Sequence, residues 1–424
     1  MQGVKYLKES TMFATKRFGE RDRHIAKNAP DDCIESSADR SLPLTRFPAL
    51  SSYLLGCVLV SVGIFTSATG GSWDITNHLL NKPESFFSPP HAMLYAGVAS
   101  AILGCVLMSR NRKYVYGVYR SSYTSTRLVI TGITMLVIAG PVDFVWHSAF
   151  GLDGLLSPPH FVLLMGMVLS GLGSLIGLTL YTAHDEPNGG PHMANSNSQR
   201  HRQISGLLVF GTSNLSIILT TVGVIPVWLS VAGVISMFSL PFSKTQYFDF
   251  NPDPSFGAVI ATLGYPLLLS FILISSFRLG KERFGIISVT ASIYIVVSAA
   301  TVIIPSESLV QTLPFYILNL VPIIAVDVLL AISKYRISSS IYIVGGAILG
   351  SIFFMIQYPL ITHVYNEVVT MQAFVWPSLT SSTYFEMFGQ VYPLVAVPGA
   401  AMGIIGAILA NRIMDKNIVR IARA

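Results

Sequence analysis

The sequence is poor in charge. Asp, Glu, Lys and Arg supply 11% of its 424 residues, where soluble domains carry about a quarter. That scarcity excludes an ordinary soluble globule, a charged coiled coil and a disordered chain. Cysteine is also scarce. Cys33, Cys57 and Cys105 show no paired spacing and no CxxC, which excludes a disulfide framework and a thiolate metal knuckle. No P-loop, Rossmann glycine fingerprint, nucleophile elbow or CxxCH haem attachment occurs. Nor is there a basic, aromatic surface of the nucleic-acid kind, so no nucleic-acid partner is expected. What remains is apolar: 52% of the residues are hydrophobic and the mean hydropathy is +0.60. Such a chain is expected to be an all-α polytopic membrane helix bundle with the lipid bilayer as its solvent.

Apolar runs near 51–72, 90–108, 128–147, 159–181, 205–238, 257–277, 285–303, 312–333, 339–358 and 391–411 predict about ten spans. Each can cross roughly 30 Å of hydrocarbon at about 1.5 Å per residue. The run 205–238 is long and carries Pro226, where it could be cut in two. Charge placement decides against the cut. With ten spans, 25 of the 27 Lys and Arg residues fall on the side of the N-terminus, leaving Lys82 and Lys244 opposite. The positive-inside rule then puts both termini in the cytoplasm of a multi-pass cell-membrane protein. Residues 1–46 are polar, lack a cleavable apolar leader and read as a cytoplasmic tail. A four-helix unit is expected over 47–182. A polar linker follows at 183–203, then a six-helix unit over 204–424 whose role the residues do not reveal.

One pattern occurs twice. Asp74-Ile75-Thr76-Asn77-His78 is followed by Ser88-Pro89-Pro90-His91, and Asp143-Phe144-Val145-Trp146-His147 by Ser157-Pro158-Pro159-His160. Both obey Asp-x3-His-x12-His, and every member of the second copy lies 69 residues after its counterpart (143 − 74, 147 − 78, 160 − 91). Four of the chain's nine histidines are consumed here. An Asp and a His four apart share one helix face. Ser88 and Ser157 are suited to cap the next helix, whose first position tolerates proline. The third ligand then projects from the first turn of that helix. A tandem helical hairpin is therefore expected, each copy offering two imidazoles and one carboxylate near the extracytoplasmic face. Copper, zinc and ferrous iron all suit such a set.

The stretches Trp73–Tyr95 and Val142–Leu164 resemble the copper-binding segments of the C subunit of the membrane-bound methane and ammonia monooxygenases. Trp146-His147 matches that family's Trp before the first histidine, and Phe87-Ser88-Pro89-Pro90-His91 is similar to its Phe-Thr-Pro-Ser-His. Asp143 stands where the family's second set usually begins with Asn, and Asn77 stands where it has Trp. The likeness covers residues 50–182, and the last six spans have no counterpart in it. It implies copper at Asp74, His78 and His91 and again at Asp143, His147 and His160. It also implies a monooxygenase-type oxidoreductase activity and partner membrane subunits of an oxidase or oxygenase complex.

Three further residues could add to a site. His363 and Glu367 lie four apart beyond the ninth span, and Asp327 lies inside the eighth, where a carboxylate needs a partner. Two other functions fit the residues. The chain could be a metal-ion transporter or permease whose outer Asp and His groups capture the cation, or a b-type haem electron carrier.

Overall fold

The computed structural model describes residues 47–80, 82, 85–116, 121–151, 154–184, 199–239, 247–333, 340–353, 355–356 and 388–421. The tail at 1–46, most of the linker and the pair His363 and Glu367 lie outside the described residues. No strand occurs among the described residues, and the protein is an all-α polytopic helix bundle. Lipid offers the backbone no hydrogen bonds, so each crossing segment must satisfy its own amides as helix.

Helices α1 (Phe47–Leu79) and α2 (Pro89–Tyr116) form a first hairpin, α3 (Ser121–Phe150) and α4 (Pro158–His184) a second. Then come α5 (Gln199–Ser239), α6 (Pro254–Leu279) and α7 (Ile286–Ile303). A 3-10 turn at Glu307–Thr312 leads into α8 (Leu313–Leu318) and α9 (Leu320–Ser333). Helix α10 (Ser340–Ile348) widens into a π-turn at Leu349–Phe353, and α11 (Phe388–Ile421) closes the bundle. Pro226 sits inside an unbroken α5, as the charge placement required. The eighth span begins earlier than its apolar run suggests, at Glu307, and is assembled from three helical pieces up to Ile332. Nine helices among the described residues are long and apolar enough to cross a membrane; the ninth expected span appears as the shorter apolar helix Ser340–Ile352.

The hairpins are held by glycine. A Cβ on Gly63 would lie 2.5 Å from the carbonyl oxygen of Gly97 and 2.6 Å from the amide of Ala101. Sixty-nine positions later, a Cβ on Gly132 would lie 2.5 Å from the Gly166 carbonyl oxygen and 2.7 Å from the Ser170 amide. Gly104 lies against Gly56 and Val60 as Gly173 lies against Ser125 and Val129. Small residues let two membrane helices approach to backbone contact, where dispersion and weak hydrogen bonds replace the hydrophobic effect. In the second half, Gly346 of α10 and Gly350 of the π-turn meet Gly403 and Gly399 of α11 in the same manner.

The second half packs around Trp228, Phe277, Tyr294 and Leu273, with Trp228 and Tyr294 stacked at 4.0 Å. At the end of α6, Arg278 Nη2 donates to Asp415 Oδ1 at 2.6 Å while Nη1 stands 3.4 Å from Glu282. That pairing keeps α6 and α11 together at one end of the bundle.

Gly63→Val should therefore unseat the first hairpin and cost about 1–3 kcal/mol or more. Gly140→Ala, whose Cβ meets nothing within 4 Å, should leave stability unchanged or slightly raised. Thermal unfolding of the detergent-purified protein reads both.

Candidate metal centre

Each hairpin brings the end of one helix beside the start of the next. In the first, Asp74 and His78 occupy the last turns of α1, and His91 the first turn of α2. In the second, Asp143 and His147 end α3 and His160 opens α4. Both trios converge. His78 Nε2 lies 3.3 Å from Asp74 Oδ2, and His91 Nε2 3.1 Å from Asp74 Oδ1. His147 and His160 Nε2 lie 3.5 and 3.3 Å from the single oxygen Asp143 Oδ1, and 3.2 Å from each other. Within each trio, one ligand atom from each residue lies within 4.8 Å of the other two.

The two trios are neighbours. The rings of His78 and His147 stand 6.3 Å apart, centroid to centroid. All six side chains are 13–23% exposed, so they are largely withdrawn from solvent yet reachable.

Proton placement makes the arrangement demanding. His91 Nδ1 meets the carbonyl oxygen of Ser85 at 3.0 Å, and His147 Nδ1 that of Gly151 at 3.1 Å. A carbonyl can only accept, so in the neutral ring the proton sits on Nδ1 and Nε2 presents its lone pair. That lone pair faces a carboxylate oxygen. Asp74 Oδ1 and Asp143 Oδ1 are buried, with His91 Nε2 and His160 Nε2 facing them at 3.1 and 3.3 Å. A neutral ring in that tautomer repels the carboxylate unless a cation, whether a metal ion or a further ring proton, lies between them. The spacings of 3.1–3.5 Å match the roughly 3.3 Å edge of a tetrahedron with metal–ligand bonds of about 2.0–2.1 Å. The residues therefore fit a metal ion, and the carbonyls on Nδ1 are the outer contacts that orient ligating histidines.

The serines behave differently from the expectation. Their carbonyls accept the first helical bonds, from Ala92 to Ser88 and from Phe161 to Ser157, at 2.9 and 3.0 Å. Prolines at the next two positions remove the N2 amide, one of the two a capping hydroxyl can serve. Ser157 Oγ instead pairs with His160 Nδ1 at 2.8 Å. Ser88 Oγ has no hydrogen-bond partner, and neither has Asn77 Oδ1, next to His78 in the chain.

Contacts from the second half reach both hairpins, and the sequence pattern alone did not reveal them. Ser72 Oγ donates to Thr301 Oγ1 of α7 at 3.1 Å, and Lys82 Nζ donates to the Pro305 carbonyl oxygen. Trp146 and Phe150, flanking His147, stand among Tyr247, Phe248 and Phe250 at ring distances of 5.1–6.3 Å. Asp249 and Asp253 of that stretch serve the backbone, accepting from the amides of Asn251 and Phe256.

Asp327 lies away from both trios, wholly buried. Its Oδ2 accepts from the amides of Gly285 and Ser288 and from the Ser288 hydroxyl at 3.1, 2.9 and 2.6 Å. A carboxylate on α9 thus caps the N-terminus of α7, where the helix dipole and free amides favour negative charge.

No protein-family model, curated relative or solved structure matches the chain.

The cap gives a direct prediction. Asp327→Asn keeps an acceptor for the Gly285 and Ser288 amides and should fold with modest loss. Asp327→Leu strands them and should cost about 1–3 kcal/mol in thermal unfolding. Equal stability of the two variants contradicts the capping role.

Proposed function

We propose that this multi-pass membrane protein holds two neighbouring metal ions, one at Asp74, His78 and His91 and one at Asp143, His147 and His160, and that the metal is copper. The observation that carries the reading is the convergence, in both hairpins, of two imidazole nitrogens on one largely buried carboxylate, with one ligand atom from each residue within 4.8 Å of the other two. Imidazole suits copper, zinc and ferrous iron; copper has the greatest intrinsic affinity for such donors among divalent ions, and the resemblance to the monooxygenase C subunit favours it as well. Three protein ligands leave a coordination position for water or substrate. A copper ion bound there would supply one-electron redox chemistry beside an apolar phase that dissolves apolar substrates. We therefore assign the protein to copper-dependent membrane redox chemistry, as an oxygenase-type enzyme or as a partner subunit of one.

The chain's own groups have defined parts. Asp74 and Asp143 supply negative charge that offsets the ion's. The Ser85 and Gly151 carbonyls hold His91 and His147 with Nε2 inward, and Ser157 orients His160. The shared 69-residue offset of ligands and glycine contacts supports a duplicated hairpin as the origin of the pair. The positive-inside distribution supports cytoplasmic termini and an extracytoplasmic site.

Two other readings make different predictions. A metal transporter must pass the ion onward, and Asp327, the intramembrane carboxylate that suits it, is engaged as a helix cap. Copper flux into proteoliposomes would establish transport; a redox protein gives none. A haem carrier needs two ring nitrogens on opposite sides of a porphyrin, whereas those of His147 and His160 stand 3.2 Å apart around a carboxylate.

Elemental analysis of purified protein loaded with copper should find two ions per chain. His78→Ala combined with His147→Ala should abolish both, and undiminished copper in that variant rejects the assignment. Binding requires neutral imidazole, whose ordinary pKa is about 6.5. Acidification from pH 7.5 to pH 5 should therefore release the metal with uptake of protons, and restoring the pH should restore binding.

A further inference from the structure

The two trios share their ligand types but not their surroundings. The second half touches the first hairpin through α7 and the turn after it, by way of Thr301 and Pro305. It touches the second hairpin through the stretch Tyr247–Asp253, which leads into α6. There the contact is backbone on backbone. Leu156 donates its amide to the Phe250 carbonyl oxygen at 3.3 Å. Gly154 adopts a φ of +101°, and a Cβ there would lie 2.7 Å from both the carbonyl carbon and the oxygen of Phe250. Only glycine fits that conformation and that approach. Aromatic rings complete the seat. Phe248 stands 6.0 Å from Trp146, 5.1 Å from Phe150 and 5.9 Å from Phe250.

These contacts bracket the second trio's ligands. Trp146 precedes His147, and Phe150 lies three residues after it. Leu156 and Ser157 immediately precede the turn that carries His160. The positions of the α3 end and the α4 start, and hence the 3.2 Å approach of His147 to His160, depend on where Phe250 and Phe248 lie. The ring and backbone contacts of Tyr247, Phe248 and Phe250 run to Trp146, Phe150, Gly154 and Leu156 of the second hairpin.

We propose that Tyr247–Asp253 is a positioning element for the second metal site alone, with Phe248 and Phe250 as its positioning residues. One function of the six-helix half is then to complete a site whose ligands all lie in the first half. The proposal rests on the two-metal reading above and adds that the two ions are supported independently. Groups that orient metal ligands typically contribute about ten- to a hundred-fold in affinity.

The test counts copper in full-length purified protein and measures the affinity of each equivalent. The wild-type chain should hold two ions. Phe248→Ala combined with Phe250→Ala should hold one tightly, the second being weakened ten-fold or more. Adding His91→Ala to that pair should bring the tight count to zero, while adding His160→Ala should leave it at one. The retained first ion shows that the variant is folded; the single change Phe248→Ala should move the second affinity in the same direction, less far. Two tight ions in the double variant, or equal weakening of both, overturns the proposal. A metal-free readout separates it from the two-metal reading: carbethoxylation of histidines followed by mass spectrometry. In the double variant His147 and His160 should react faster than in the wild type, with His78 and His91 unchanged. Absence of copper from the wild type rejects the metal reading, and unchanged histidine reactivity then rejects the positioning role as well.

Discussion

The site depends on placing three hydrogen-bond acceptors around one point where water is scarce. Two neutral imidazole nitrogens and a carboxylate repel one another when brought within 3.1–3.5 Å, and side chains only 13–23% exposed have little solvent to screen them. The scaffold holds them together regardless. Backbone carbonyls fix the tautomers of His91 and His147, and the helix faces fix the i, i+4 spacing. On the metal reading proposed above, such a geometry would need little reorganisation to take up a cation.

The force that opposes this repulsion is helix packing. In lipid, apolar side chains gain nothing by leaving one apolar phase for another, so close backbone contact must hold the hairpins. Gly63 against Gly97 and Gly132 against Gly166 supply it in the two hairpins. Those glycines lie two to three turns below the ligands and set the distance between the helix ends above them. The same logic joins α10 and its π-turn to α11 through Gly346, Gly350, Gly399 and Gly403. Buried charge elsewhere is matched locally: Asp327 with the amides of α7, and Arg278 with Asp415 and Glu282.

The second half is more than an addition to a metal-binding unit. Thr301 and Pro305 contact the first hairpin, and Phe248 and Phe250 the second. Residues 48–424 accordingly form one compact unit. The contacts differ between the hairpins although the ligands repeat, which allows two chemically alike sites to be tuned separately. His78 and His147 are neighbours, their ring centroids 6.3 Å apart, so ions held at the two trios as proposed would feel each other's charge.

Periodicity and composition determined much by themselves. Continuous apolar runs of about twenty residues had to become membrane helices, because a barrel strand is about half that length and alternates in polarity, whereas a helix satisfies its own amides in lipid. The unbroken α5 followed from where lysines and arginines fall. The trio of Asp74, His78 and His91 followed from helical spacing and from prolines that open the next helix, and its counterpart from the same rule. The tertiary structure decided the rest, because it depends on contacts between residues distant in sequence. It placed the two trios side by side, and it engaged Asp327 as the cap of a helix on another part of the chain. It turned the Ser157 hydroxyl toward the imidazole of His160. It also laid Phe250 against Gly154, a contact across 96 residues (250 − 154) that no local pattern encodes.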